Sequence, residues 1–364
     1  MRIGSVDFPS HVLNASGARG FFGEGYRLPH PGILADWSDS VFVSKTCTLE
    51  ARAGNMPMLA DGVTPRERIP QSIIVEPVHG HVLNCVNLSN PGASVLLGAR
   101  NWRGRRDPFV ISFMAVGDSR AGRLREWKGF LAQHDKATRL FLAHTICEVN
   151  ISCPNTEHDP RELVGEVMTM LDIAKSFGVK VIVNINLLVT PHEAVEIKKH
   201  PYCAAVSQSN SIPWDHLPRE FRRETFGAEV SPLKARGFGS GGYSGPFAFG
   251  RLIEWILEAR MLDQGSQWLI VGGGIQSVKD ADQVCRVGFN MLLGIKLGVV
   301  CIVRPWRVQP IIRHVNAYFD ELDRTKKRKI IDGPERVITR RLKRELGKAL
   351  RSGVAFVSER MRRE

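Results

Sequence analysis

The chain has 364 residues, 43% of them hydrophobic and 24% charged, long enough for one large α/β barrel or two ordinary domains. No stretch reaches the ~18 apolar residues of a membrane span, and Met1 to Asp7 lacks the apolar region of a signal peptide, so a soluble, cytoplasmic protein with no membrane partner is expected. The formal charge of +13 is uneven: residues 321–364 carry 15 Lys/Arg against 7 Asp/Glu, a net +8, which makes most of the basicity a property of the tail.

Short apolar runs that end in polar or glycine residues mark eight strands. In chain order they are Val12 to Ser16, Val41 to Lys45, Phe109 to Met114, Cys147 to Ser152, Lys180 to Ile185, Cys203 to Gln208, Trp268 to Gly272 and Asn290 to Gly294. The intervening segments are long enough for crossover helices. Between the fourth and fifth strands, Arg161 to Phe177 carries Leu163, Val167, Met170, Leu171 and Ala174 at helical spacing. The pattern predicts a (β/α)8 TIM barrel over residues 1–320. Residues 50–99, rich in Pro, Gly and Asn, are too long for an ordinary loop and are expected to form a lid or insertion that contributes Asn84.

Residues 321–364 are expected to form a basic, helical C-terminal extension. In its helical run from Glu335 to Arg363, Val337, Ile338, Leu342, Leu346, Ala349 and Leu350 recur opposite Arg340, Arg341, Lys343, Arg344 and Lys348. A helix with a solvated basic face and a partner-docking helix both fit this pattern. Nucleic acid is not expected as a partner, because no aromatic residues interleave the basic ones in the first half of this run.

Seven cysteines, at 47, 85, 147, 153, 203, 285 and 301, form no Cys-x-x-Cys pair and no Cys/His cluster at zinc spacing. They read as reduced thiols, and no metal site is expected. The chain is not expected to hold an iron–sulfur cluster, which needs about four converging thiolates.

The most informative segment is Cys147-Glu148-Val149-Asn150-Ile151-Ser152-Cys153-Pro154-Asn155-Thr156. Apolar and polar residues alternate at the period of a strand, and Pro154 ends the ladder just past Cys153. A thiol at a strand end can serve as base or nucleophile, and each nearby amide can donate to and accept from a planar ligand. Taken singly, Cys153 reads as a buried small hydrophobe and each Asn as a turn or capping residue; their arrival at successive strand ends favours a site.

With this motif, and with Asn14-Ala15-Ser16-Gly17, Ser44-Lys45-Thr46, Thr48-Leu49-Glu50, Gly54-Asn55, Asn84, Asn90-Pro91-Gly92, Asn210-Ser211, Gly241 to Pro246 and Gly272 to Ile275 in order, the chain over residues 1–300 resembles the dihydroorotate dehydrogenases. The resemblance is to the cytosolic class with a cysteine base. It implies an FMN enzyme that oxidises (S)-dihydroorotate to orotate in pyrimidine biosynthesis. Cys153 would take the C5 proton while hydride passes to the flavin N5, and Lys45 would assist the thiol.

By the same resemblance Lys45, Asn84, Asn150, Asn155, Asn210 and Ser211 would hold the substrate. Ser16, Gly17, Lys45, Thr46, Asn150, Asn184, Gly245, Gly273, Gly274, Gly294 and Ile295 would hold the cofactor. An iron–sulfur flavoprotein subunit is an implied partner, and a homo-oligomer is expected. The sequence departs from the family twice. Ile295 replaces a hydroxyl that helps bind phosphate, and Asn184 stands where the family has a lysine facing the flavin N1/C2 carbonyl; Lys180, four residues back and roughly 13 Å away at ~3.3 Å per residue, is too far to replace it. Two alternatives remain open, a flavin oxidoreductase for another cyclic amide or carboxylate and a non-catalytic barrel that binds a partner through its tail.

Overall fold

The computed structural model of the chain describes residues 1–25, 35–67, 69–151, 160–263, 265 and 267–332, with the backbone alone at 160–164 and 326–332. By internal contacts the chain divides into Met1–Asn316 and Ala317–Glu364.

In the first unit the eight strands form one parallel sheet: β1 Val12–Asn14, β2 Phe42–Val43, β3 Phe109–Phe113, β4 Thr145–Asn150, β5 Val181–Ile185, β6 Cys203–Gln208, β7 Leu269–Gly272 and β8 Leu292–Leu297. Their order around the sheet is β1-β8-β7-β6-β5-β4-β3-β2. The circle closes where Val41 N donates to Val12 O (2.8 Å) and Asn14 N to Val41 O (3.3 Å). This is a (β/α)8 barrel.

One strand was read short. The expected stop at Gly294 is overturned, because β8 continues through Lys296 to Leu297. A glycine inside a strand marks either an end or a close backbone approach, and here it is the second. A Cβ on Gly294 would lie 2.5 Å from the carbonyl oxygen of His11.

Strand alternation layers the barrel interior. At the amino end Leu13, Val41, Val43, Val110, Ile146, Ile182, Ala205, Ile270 and Leu293 pack into one apolar cluster with Ile3, Val6 and Phe8. The last three come from and follow a hairpin, Arg2–Ile3 against Val6–Asp7, whose turn residue Gly4 abuts Lys180, Ala204 and Ile146. The hairpin plugs the barrel, and Lys180 is confirmed at this amino end. Two residues further along the strands the buried side chains turn polar: Ser112 follows Val110, Glu148 follows Ile146 and Asn184 follows Ile182.

The expected insertion over residues 50–99 contains the hairpin Ile73–Glu76/His81–Asn84, and helix α1 (Ala93–Gly98) occupies its end. The hairpin joins Gly242–Ser244 and Ile212–Pro213 in a four-stranded antiparallel sheet. One face of this sheet packs Leu83, Ile212 and Tyr243 with Trp214, Leu217, Leu233 and Ala248.

Among the outer helices, α3 (Arg120–Thr138) follows β3 and α4 (Pro160–Ser176) follows β4. The second matches the expected helix within one residue at each end, and Val167, Met170, Leu171 and Ala174 are buried as its periodicity requires. Phe130 of α3 stacks on Phe113 at 4.1 Å, and Trp127 Nε1 donates to Met170 O (2.9 Å). Arg123 grips Glu166 with two hydrogen bonds, Nε to Oε1 at 2.7 Å and NH2 to Oε2 at 2.9 Å.

In the second unit, the helix Val308–Asp332 continues through Tyr318 and Phe319, whose rings meet edge to face at 5.5 Å, and Thr325 Oγ1 donates to Glu321 O (2.8 Å). The expected helix from Glu335 to Arg363 lies outside the described residues.

The Arg123–Glu166 pair gives a test of how α3 and α4 are joined. Both side chains are buried, at 6% and 1% exposure, so removing the cation strands a carboxylate away from water. Arg123→Met should lower unfolding free energy by about 3–5 kcal/mol, the cost of breaking a buried pair from one side, measured from urea midpoints at constant slope.

Candidate active site

At the carboxyl ends of the strands lies a cavity of ≈ 220 Å³, the place where barrel enzymes build their sites. Its wall combines strand-end residues Ser16, Gly17, Lys45, Thr46, Asn150, Asn210, Ser211, Gly273 and Gly274 with Val82 and Asn84 of the antiparallel sheet. Val82 and Asn84 share one face of their strand while Leu83 points to the apolar cluster behind, so the insertion works as a wall with an apolar back. Ten residues picked from the sequence are thereby brought together.

The polar groups are tied into a chain. Ser16 Oγ lies 2.8 Å from Thr46 Oγ1, and Asn150 Nδ2 reaches the same Thr46 oxygen at 3.5 Å. Asn210 Nδ2 donates to Asn150 Oδ1 at 2.7 Å, and Asn184 Nδ2 donates to Asn210 Oδ1 at 3.1 Å. Ser209 Oγ completes the row by donating to Asn184 Oδ1 at 2.7 Å. Strand register explains why these groups meet, since Asn184 is paired with Asn150 on one side and with Ser207 on the other. Ser211 shares a 2.8 Å hydrogen bond with Ser244, and Asn84 Nδ2 donates to Gly242 O at 3.3 Å.

Four positions read from the sequence lie elsewhere, and two lie outside the described residues. Gly294 and Ile295 sit inside β8, not after it, and do not line the cavity; Gly298 and Val299, which follow the strand, take the expected place. Gly245 caps the start of α7 (Pro246–Leu262) and backs the glycine loop: a Cβ on Gly274 would lie 2.5 Å from its carbonyl oxygen. Asn184 is buried behind the wall, where it holds Asn210. Cys153 and Asn155 fall outside the described residues.

Sequence reading missed Glu148 and Lys296. Lys296 Nζ donates to Glu148 Oε2, and both side chains are fully buried. The signal was present: Glu148 shares the polar side of its strand with Asn150, and Lys296 interrupts the apolar run Leu292 to Leu297. Burial pulls the Lys296 ammonium below the ordinary lysine range, with Glu148 acting in the opposite direction.

Lys45 is 6% exposed. Its ammonium donates to Ser89 O and lies 4.8 Å from the centre of the Phe21 ring. Burial brings its pKa down to about 7, against a smaller upward pull from Glu24. A cavity lysine of this kind changes charge near neutrality and can bind an anion or pass a proton.

The glycine loop fits a phosphate. Gly273 and Gly274 have φ of 128° and 71°, a backbone that side chains disfavour, and both line the cavity with Gly298. Side-chain-free backbone there can present N–H groups to an anion. A polar row, a lysine and a phosphate-compatible loop around one cavity fit the donor needs of a flavin mononucleotide.

Among the solved structures to which the chain is similar are two of DHODH. A DHODH from Eimeria tenella in complex with ferulenol has a TM-score of 0.62 at 14% identity, covering 88% of this chain and 84% of that one. A ligand-free type of DHODH from the same organism has a TM-score of 0.54 at 15% identity, over 78% of each chain. At these identities the likeness is one of fold. No protein-family model matches the chain, and neither does any curated protein sequence.

The depressed lysine has a consequence for stability. With a folded pKa of about 7 against an unfolded value of about 10.4, the folded state binds fewer protons than the unfolded state between those values. The burial penalty on Lys45 is therefore present in full below pH 7 and fades as pH rises through the window. Urea denaturation at a series of pH values should show a gain in wild-type stability from pH 7 to 10 that Lys45→Met lacks.

Proposed function

We propose that this protein is an FMN-dependent oxidoreductase of the dihydroorotate dehydrogenase type, oxidising dihydroorotate or a close cyclic amide. The row of hydrogen-bonded amides and hydroxyls from Ser16 to Ser209, running along the carboxyl ends of the strands into a cavity with Lys45, carries this reading. A row of this kind matches a flat ring edged with carbonyls and N–H groups, because each amide offers a donor and an acceptor in one plane. The fold shared with DHODH structures agrees with it.

Gly273, Gly274 and Gly298 would take the phosphate, and Ser16, Gly17 and Thr46 would line the ring. When bound, the flavin supplies the acceptor for the hydride leaving the substrate. Asn150 and Asn210 orient the substrate amides. Their own orientation is fixed by Thr46 and Asn184, so the geometry is set before binding and little of it is left to be ordered by the ligand.

Lys45 meets the carboxylate of the substrate with a charge that burial has made responsive to what arrives. Cys153 removes the proton next to the reacting carbon. An ordinary thiol has a pKa of about 8.5 and needs a neighbouring positive group to act as a base at neutral pH, and Lys45 is the proposed group. The cytoplasm, pyrimidine synthesis, a homo-oligomer and an iron–sulfur flavoprotein partner complete the proposal as the setting in which this chemistry serves.

Asn184 favours keeping a second substrate in view. It is uncharged and spends both ends of its amide on Ser209 and Asn210, so this position lacks the lysine charge that the dihydroorotate dehydrogenases carry there. Anaerobic titration of FMN-loaded protein decides between the two. Bleaching of the flavin by dihydroorotate supports the first reading, whereas bleaching by another cyclic amide alone moves the substrate. Protein that neither carries nor binds FMN refutes both. Cys153→Ala should retain flavin while losing substrate-driven bleaching by ~10²-fold or more, the usual weight of a general base.

A further inference from the structure

The floor of the cavity holds a charge pair that the reading above leaves unused. Lys296 and Glu148 stand on β8 and β4, four strands apart in the sheet order, so their bond crosses the barrel at its full width. A buried pair seldom stabilises a protein more than well-packed apolar residues of similar volume would. This pair is costlier than most: the second carboxylate oxygen, Glu148 Oε1, is buried with no hydrogen-bond partner among the described residues.

The pair is also oriented. Lys296 lines the cavity and Glu148 does not; Glu148 sits one inward position below Asn150, at the polar layer just above the apolar plug. The positive end, closed off from solvent with the rest of the pair, therefore underlies the cavity, and the negative end is withdrawn into the opposite wall. In a poorly polarisable surrounding such a dipole acts on a ligand far more strongly than it would in water.

We infer that Lys296, held in place by Glu148, biases the cavity toward the electron-rich form of a bound flavin. The inference rests on the flavin reading and goes beyond it by naming the group that sets the potential. A flavin that has taken up a hydride has gained two electrons and one proton, and carries one more negative charge than before. An inward-facing ammonium holds that form more tightly than the oxidised one, and the difference in affinity raises the midpoint potential. Glu148 both positions the ammonium and tempers its charge.

Potentiometric titration of FMN-loaded protein tests this, with the dissociation constant for oxidised FMN as the companion measurement. The double variant Lys296→Met/Glu148→Leu removes both charges and fills the space with apolar groups, the kind of replacement buried pairs tolerate. It should lower the midpoint potential, with a tenfold loss in relative affinity for the reduced form appearing as ~30 mV for a two-electron couple, while affinity for oxidised FMN stays within a few-fold. At a pH low enough to keep Lys296 protonated, Glu148→Gln removes the opposing charge, so its potential should rise above that of the wild type; the pH must be lowered because Glu148 is what favours the charged lysine. Shifts of opposite sign are a result that a purely structural pair does not give. An unchanged potential in a folded, FMN-loaded double variant overturns the inference and leaves the flavin reading standing. Failure of the wild-type protein to bind FMN overturns both.

Discussion

A lysine and a glutamate that cross the inside of a closed barrel fix much of what surrounds them. An ammonium and a carboxylate can be withdrawn from water together only if each finds the other. The strands that carry Lys296 and Glu148 are thereby held in one register and at one distance. Below the pair, the apolar layer and the hairpin plug exclude water. Above it, the side chains can be polar because they face a cavity and satisfy one another. The change from Val110 to Ser112, from Ile146 to Glu148 and from Ile182 to Asn184 occurs within a single inward step along each strand, and it marks the boundary between the part of the barrel that folds and the part that binds.

The row of amides and hydroxyls depends on that boundary. Asn150 stands two residues beyond Glu148, and Asn184 is paired with Asn150 across the adjacent strands. A slip of one residue in β4 would turn Asn150 outward and Val149 inward, breaking the row and the charge pair together. Function and register are thus enforced by the same contacts. The antiparallel sheet adds a wall without disturbing them, because it brings its own apolar cluster and lends the cavity Ile73, Val82, Asn84 and Ser244.

All eight barrel strands could be read from the sequence, because each is a compact apolar run whose ends carry the residues that stop it. Most of the polar lining of the cavity could be read as well, since Ser16, Lys45, Thr46, Asn150 and Asn210 follow such runs directly. What escaped was set by contacts distant in the chain. Gly294 looked like a terminator, and only the approach of His11, just before the first strand, shows why a glycine belongs inside β8. Lys296 lies beyond the expected end of the last strand, and what holds it inside is Glu148, 148 residues earlier. Asn184 was assigned to the cofactor by position, yet its partners are Ser209 and Asn210, which a local pattern does not reveal.

The short hairpin at the start of the chain has a kinetic meaning. Ile3, Val6 and Phe8 close the amino end of the barrel, which leaves the carboxyl end as the side from which molecules come and go. Two reactants that use the same chamber through the same side cannot easily be present at once, and the first must depart before the second is admitted. On the proposed flavin reading, a chamber stoppered in this way would favour turnover in alternating half-reactions, with a resident carrier keeping what the first visitor leaves until the next one collects it.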